Sequence, residues 1–172
     1  MRRTLRTAAA TALLVTLGAC SLSEDESGVA KGLAQPLGEV DLVVSHAVAT
    51  CVAETWVGAI GTRPFVDDRL ANKRLAVRRG AVRRALAGRL PVSRTTAEGY
   101  ADGVLDCVDF DELSLERADD RPKPSAEQLD EYADCHREID DDLWRTGLAA
   151  TMMGDASSEL DRARTACEQE LR

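Results

Sequence analysis

The stretch SAEQLDEYADCHREIDDDL at residues 125–143 decides the fold class of this chain. Ser125 and Gln128 have the spacing of a helix capping box, in which each side chain accepts a hydrogen bond from the other residue's backbone. Apolar residues then recur at three- and four-residue steps, which is the period of an amphipathic helix. They are Leu129, Tyr132, Cys135, Ile139 and Leu143. The pattern predicts a helix that reaches about residue 150.

The same period extends outward from this stretch in both directions. It predicts helices over about 39–60, over 67–89, from the Thr95/Glu98 capping box onward, and from about Asp155 to the C-terminus. The alternation typical of strands is absent. The sequence therefore predicts an all-α bundle of about four to five helices within residues 39–172.

The N-terminus has the layout of an export signal. Arg2, Arg3 and Arg6 precede an apolar run at residues 7–19. This run is 13 residues long, whereas a helix needs about 20 to span a bilayer. The run ends in Leu17-Gly18-Ala19-Cys20, which resembles the lipobox of bacterial lipoproteins.

The resemblance to bacterial lipoproteins covers only the first 20 residues. It implies that Cys20 receives a diacylglyceryl thioether and that residues 1–19 are then removed, which frees the Cys20 amino group for N-acylation. It also implies a protein anchored to the cell membrane by lipid and facing its extracytoplasmic side. Beyond Cys20 the chain resembles only the general style of small exported actinobacterial helical proteins, which implies no specific function.

Residues 20–38 are predicted to be a flexible tether between the lipid and the helical domain. They are rich in small and acidic residues and contain Gly28, Gly32, Pro36 and Gly38. Segments of this composition bury too little apolar surface to order themselves.

Four cysteines remain once Cys20 carries lipid. An even number of cysteines in an exported chain indicates disulfides, and four allow three pairings. If the last two helices form an antiparallel hairpin that turns near Met152, Cys135 and Cys167 lie at about the same level. We therefore expect the disulfide Cys135–Cys167, which leaves Cys51 to pair with Cys107.

Charge is unevenly distributed along the chain. Without residues 1–19 it has 19 basic and 30 acidic residues, a formal net charge of −11, which argues against a nucleic-acid partner. Residues 69–94, here called the basic segment, contain nine cations and no acidic residue. Five of these arginines are the predicted contacts with an anionic surface: Arg74, Arg78, Arg79, Arg83 and Arg84.

Two interpretations of the basic segment are open. The arginines could pair with acidic helices of the same domain, or they could contact anionic lipid headgroups or an acidic envelope partner. The first interpretation predicts ion pairs within the domain, and the second predicts exposed, unpaired cations.

The sequence marks out no catalytic, metal or cofactor site. His46 and His136 do not share a helix face with enough ligands for zinc, and three consecutive aspartates at 140–142 point in different directions on a helix. No nucleophile elbow or phosphate-binding loop is present. Trp56 and Trp144 each lie near an apolar stripe and are predicted to be core residues.

The expected function is therefore a non-catalytic binding or envelope-associated module held at the membrane by lipid. The alternative is an envelope hydrolase or carrier with a carboxylate-lined cleft.

Overall fold

The computed structural model describes residues 22–40, 45–109, 125–155 and 158–169. Its helices are α1 Glu24–Leu37, α2 His46–Ile60, α3 Arg63–Asp67, α4 Arg79–Leu86, α5 Arg94–Cys107, α6 Ala126–Glu138, α7 Asp141–Met153 and α8 Ser158–Gln169. These ranges contain no strand and only an isolated β-bridge between Ala71 and Val77. The predicted all-α class is confirmed, but the described ranges hold more helices than expected.

Helices α1, α2, α5 and α7 pack against one another in succession, and α4 contacts both outer members, α1 and α7. Neighbouring members are antiparallel. Leu22 lies beside Gly58 and Gly38 beside Ala49, so α1 and α2 run in opposite directions. The Val92 N–H donates to the Met152 carbonyl at 3.1 Å, which places the start of α5 beside the end of α7. The four helices form a bundle with α4 across one side.

Trp56 lies at the centre of the core and is fully buried. Its ring centroid lies 5.0 Å from that of Phe65 and 5.3 Å from that of Tyr100. The indole N–H donates to the Thr96 carbonyl at 2.8 Å, which satisfies the one polar atom that burial of this side chain would otherwise leave unpaired. Trp144 is also buried, so the prediction that both tryptophans belong to the core is confirmed.

The flexible tether predicted for residues 20–38 is wrong over most of its length, because residues 24–37 form α1. Ser23 and Glu26 make a reciprocal capping box, and the hydrogen bonds from Ser23, the backbone one first, lower the pKa of the Glu26 carboxyl. Val29, Leu33 and Leu37 recur every four residues and are fully buried. The glycines and acidic residues suggested coil, but burial of this stripe against α2 outweighs the low helix propensity of Gly28 and Gly32. The helical domain therefore begins before residue 39.

The basic helix predicted over 67–89 is interrupted. The Asn72 side-chain oxygen accepts the N–H groups of Arg74 at 2.8 Å and Ala76 at 3.1 Å, and Leu75 adopts a left-handed conformation with φ 60°. This local hydrogen bonding competes with helix formation. Only residues 79–86 at its C-terminal end are helical as α4, while α3 ends at Asp67.

Other predicted helix limits also change. The N-cap of α5 is Ser93 rather than Thr95, and α2 begins after the N-cap Ser45. The helix expected to run from 125 to 150 stops at Glu138, because Ile139 is extended and Asp140 caps α7 through the Asp142 N–H. The Ser125/Gln128 capping box is present as predicted. Residues 110–124, between α5 and α6, lie outside the described residues.

Both predicted disulfides are confirmed. Cys51–Cys107 joins α2 to α5 with a Cα–Cα distance of 5.8 Å, and Cys135–Cys167 joins α6 to α8 at 5.5 Å. The second pairing was expected from a simple hairpin of two helices. It forms instead between α6 and α8 with α7 between them in the chain, so the pairing was correct although the assumed geometry was not.

Substitution of Gly28 tests whether residues 24–37 are helical. A Cβ at Gly28 would meet no atom within 4 Å, so we expect Gly28→Ala to raise the free energy of unfolding by about 1 kcal/mol through helix propensity. Gly28→Pro should lower it by about 3 kcal/mol. Denaturant unfolding followed by circular dichroism measures both changes. In a flexible tether neither substitution would alter stability.

Gly103→Ala is the matched control for Gly28→Ala. A Cβ at Gly103 would lie 3.0 Å from the Val52 carbonyl oxygen, so the backbones of α2 and α5 would have to separate. We expect the same chemical change to destabilise the protein at this position.

Removal of either disulfide should cost stability. Sequence separations of 56 for Cys51–Cys107 and 32 for Cys135–Cys167 predict a loss of about 4 kcal/mol each from loop-closure entropy. Paired Cys→Ala variants and denaturant titration measure this loss. The intact mass should also rise by about 4 Da on full reduction, since each disulfide lacks two hydrogens. A mass that does not change on reduction would contradict both bridges.

Candidate binding surface

The basic segment begins with a tight turn that is fixed by backbone hydrogen bonds. The Arg78 N–H donates to the Leu70 carbonyl at 2.7 Å, and the Asn72 N–H donates to the Ala76 carbonyl at 3.0 Å. Lys73 and Arg74 lie at the tip of this turn and are exposed. The Asn72 side chain described above holds the turn closed, so these two cations are presented by a defined backbone.

Helix α4 continues the segment with one buried and one exposed face. Ala81, Val82 and Ala85 are buried where α4 packs against α1 and α7. Arg79 and Arg83 are one helical turn apart and exposed. The Arg84 guanidinium folds back over Gly80, where a Cβ would lie 3.8 Å from its Nη1. These three arginines therefore belong to the outer face of α4.

Most cations of the basic segment have no acidic partner. Arg83 forms an ion pair with Glu39, and Arg94 approaches Glu98 at 3.9 Å. Within the part of the chain that the structure describes, the seven others make no ion pair. These are Arg69, Lys73, Arg74, Arg78, Arg79, Arg84 and Arg89. Of the five predicted contact residues, only Arg83 fits the interpretation that the domain neutralises its own arginines.

Several acidic residues outside the basic segment make contacts that support the fold. Asp102 on α5 accepts a hydrogen bond from Arg145 on α7 at 2.7 Å, and this bond raises the pKa of the Arg145 guanidinium. Asp68 accepts from the Ser93 backbone N–H at 3.0 Å and from its hydroxyl at 2.7 Å. Asp140 caps α7 and Asp142 contacts Arg145. These carboxylates join helices to one another or cap them.

The two histidines lie in different environments. His46 is exposed at the start of α2. His136 is buried, with its Nδ1 3.0 Å from the Tyr132 carbonyl oxygen and its ring 4.2 Å from the Tyr132 ring. Among the described residues, no group of three or more His, Cys, Asp or Glu side chains could hold a metal ion.

Sequence reasoning did not anticipate the aromatic cluster that surrounds His136. It includes Tyr132 and Trp144, and the Arg164 guanidinium carbon lies 6.0 Å from the centroid of the Trp144 ring. The four-residue spacing of Tyr132 and His136 was the available signal, since such a pair shares a helix face. The cluster lies where α6, α7 and α8 meet.

An open groove lies on one side of α8. Its lining comes from one side of that helix: Asp161, Arg162, Thr165, Ala166 and Gln169. It contains one carboxylate and one cation, and so lacks the pair of converging acids that glycoside hydrolysis uses. Tyr100, a core residue on α5, has its pKa raised by burial and is not among the residues that line this groove.

No helix within the described ranges is both long enough and apolar enough to cross a bilayer. The residues from Met1 to Ser21, which include Cys20 and the apolar run, lie outside those ranges.

The chain matches no known family. Comparison with protein-family models, with curated proteins and with solved structures gives no match in any of the three. The candidate surface is therefore argued from its own residues.

The exposed cations predict an unusual chromatographic behaviour. Residues 21–172 carry a formal net charge of −11, yet we expect them to be retained on a sulfonate cation exchanger at pH 7 and low salt, because the basic segment presents its charge locally. Arg74→Gln/Arg79→Gln/Arg84→Gln should abolish retention. The control Arg63→Gln/Arg137→Gln/Arg162→Gln removes the same charge from other helices and should remain retained. Equal elution of the two triple variants would contradict a local surface.

Proposed function

We propose that this protein is a lipid-anchored extracytoplasmic binding module without catalytic activity. Two independent features support the proposal. One is the lipobox that ends at Cys20. The other is the row of exposed cations on and beside α4, which apart from Arg83 make no ion pair within the described residues. The exposed cations carry the binding role. Charges that make no ion pair inside the domain add nothing to the stability of the fold, and they can therefore contact a partner.

The rigid frame around this surface supports a binding role. Helix α4 is fixed between α1 and α7, and Cys51–Cys107 joins two neighbouring members of the bundle. A surface held in one conformation loses little entropy on binding. Disulfides persist in oxidising compartments, which agrees with an extracytoplasmic location.

The alternative function, an envelope hydrolase or carrier, needs a cleft with converging carboxylates. In the described ranges the contacts of Asp68, Asp102 and Asp142 are structural, and the groove on α8 contains only Asp161 as an acid. No specific observation favours the alternative, so we do not develop it.

Lipid attachment is tested by substitution of Cys20. We expect the full-length protein expressed in a bacterial host to partition into the detergent phase of a Triton X-114 extract, and its N-terminal peptide to carry a diacylglyceryl group and an N-linked acyl chain. Cys20→Ala should leave the protein without any acyl group in the mass spectrum, because the thioether is the point of attachment. Two acyl chains or more give stable anchoring at about 0.8 kcal/mol per buried CH₂.

Cys51→Ala/Cys107→Ala is the matched control for this experiment, since it also removes cysteine but leaves the lipobox intact. It should remain in the detergent phase. A wild-type protein in the aqueous phase, or one whose Cys20 thiol reacts with an alkylating reagent, would refute the lipid anchor.

A further inference from the structure

We propose that the basic surface around α4 docks on the anionic lipid headgroups of the same bilayer that holds Cys20. This inference rests on the proposed lipid anchor and names the partner of the binding surface. It is carried by the short distance between the anchor and α1, by the position of α4 beside α1, and by the distribution of charge around the bundle.

The anchor leaves the domain very little freedom to move away from the membrane. Ser23 is the N-cap of α1, so three residue steps separate it from Cys20. In any conformation these steps reach at most about 11 Å. The flexible tether expected from the sequence would have held the domain roughly 20–25 Å away. With α1 folded into the core, the bundle itself must lie next to the headgroups.

The basic surface is close to the anchor along α1. A Cβ at Gly32 would touch the Val77 side chain, and Arg83 forms an ion pair with Glu39 just beyond the end of α1. Helix α4 and its preceding turn therefore follow the second half of α1, about 12–22 Å from Glu24 at 1.5 Å per residue. A bundle lying on its α1/α4 side brings the anchor and the basic surface to the bilayer together.

The distribution of charge favours a bundle that lies on its α1/α4 side over one that contacts the bilayer only through the N-terminal end of α1. Glu24 and Asp25 are exposed at the N-terminus of α1 and would be repelled by an anionic bilayer. On the α1/α4 side, Glu39 forms an ion pair with Arg83, which neutralises its charge. Lys31 adds an exposed cation on α1 itself. The anchor keeps Glu24 and Asp25 near the bilayer in either orientation, so contact along the basic side supplies the attraction that offsets their repulsion.

Lipid is a better partner than a soluble acidic polymer for a geometric reason. Tethering at so short a distance gives the basic surface a high effective concentration of headgroups, whereas a soluble polymer has to compete from solution. Each cation near an anionic membrane changes the partition constant about fivefold, and salt screens the effect within a Debye length.

The docking itself is tested with the lipid-free fragment of residues 21–172. This fragment keeps α1 together with α2 and α4, the helices against which α1 packs. Co-sedimentation would compare vesicles of phosphatidylcholine with vesicles that also contain phosphatidylglycerol, at low salt. We expect binding only to the anionic vesicles. Arg74→Gln/Arg79→Gln/Arg84→Gln should weaken it roughly a hundredfold, and the control Arg63→Gln/Arg137→Gln/Arg162→Gln should retain most of it.

The anchored protein gives the second readout. Lipidated protein reconstituted in the same two vesicles would be treated with phenylglyoxal, and modified arginines would be mapped by mass spectrometry. We expect Arg79 and Arg84 to be protected on anionic vesicles and reactive on phosphatidylcholine, while Arg63 reacts on both.

Two outcomes would overturn the inference and leave the anchor standing. One is equal reactivity of Arg79 and Arg84 on both vesicles with the protein still bound through lipid. The other is binding of residues 21–172 to soluble polyglutamate with no preference for phosphatidylglycerol, which would assign the surface to an acidic polymer. Failure of the anchor itself would appear separately, as a Cys20 without lipid.

Discussion

The close approach of α2 and α5 is the contact on which the rest of the bundle depends. Gly99 and Gly103 face α2, and a Cβ at either position would crowd Ile60 and Trp56 or the Val52 carbonyl. Because these residues have no side chain, the two backbones come near enough for Trp56 to reach the Thr96 carbonyl and for Cys51 to pair with Cys107. Helix α1 then packs on α2, and α7 packs on α5. A separation of the central pair would shift every other helix.

Sequence patterns predicted the class and the cross-links better than the limits of the elements. Helical period and capping boxes are local signals, so the Ser125/Gln128 box could be identified directly. Cys135–Cys167 was predicted from helix rise along a single hairpin that does not form, and Cys51–Cys107 was predicted as the remaining pair, so both pairings are correct although the geometry assumed for the first is not. The break at Ile139 could not be predicted in the same way. Asp140 is compatible with a helix interior and with an N-cap, and tertiary packing decides between them.

The error at α1 has a different physical origin. Composition reports only the average hydrophobicity of a segment, whereas α1 buries one narrow stripe, formed by Val29, Leu33 and Leu37. For the candidate surface, the arginines that form it and the clustering of positive charge at residues 69–94 could be predicted from the sequence. It could not supply their pairing, since that depends on which helices become neighbours. The turn held by Asn72 lay inside a segment whose cations suggested an uninterrupted helix.

Helix α1 also determines how a shortened form of this protein should be made. A soluble fragment that starts at residue 39, where composition places the domain limit, would lack the side chains that cover one face of α2. That face, which includes Ala49 and Gly58, would then be open to water, and the fragment would be prone to associate through it. The N-terminal boundary of a well-behaved fragment lies before Ser23, so that the capping box of α1 is kept.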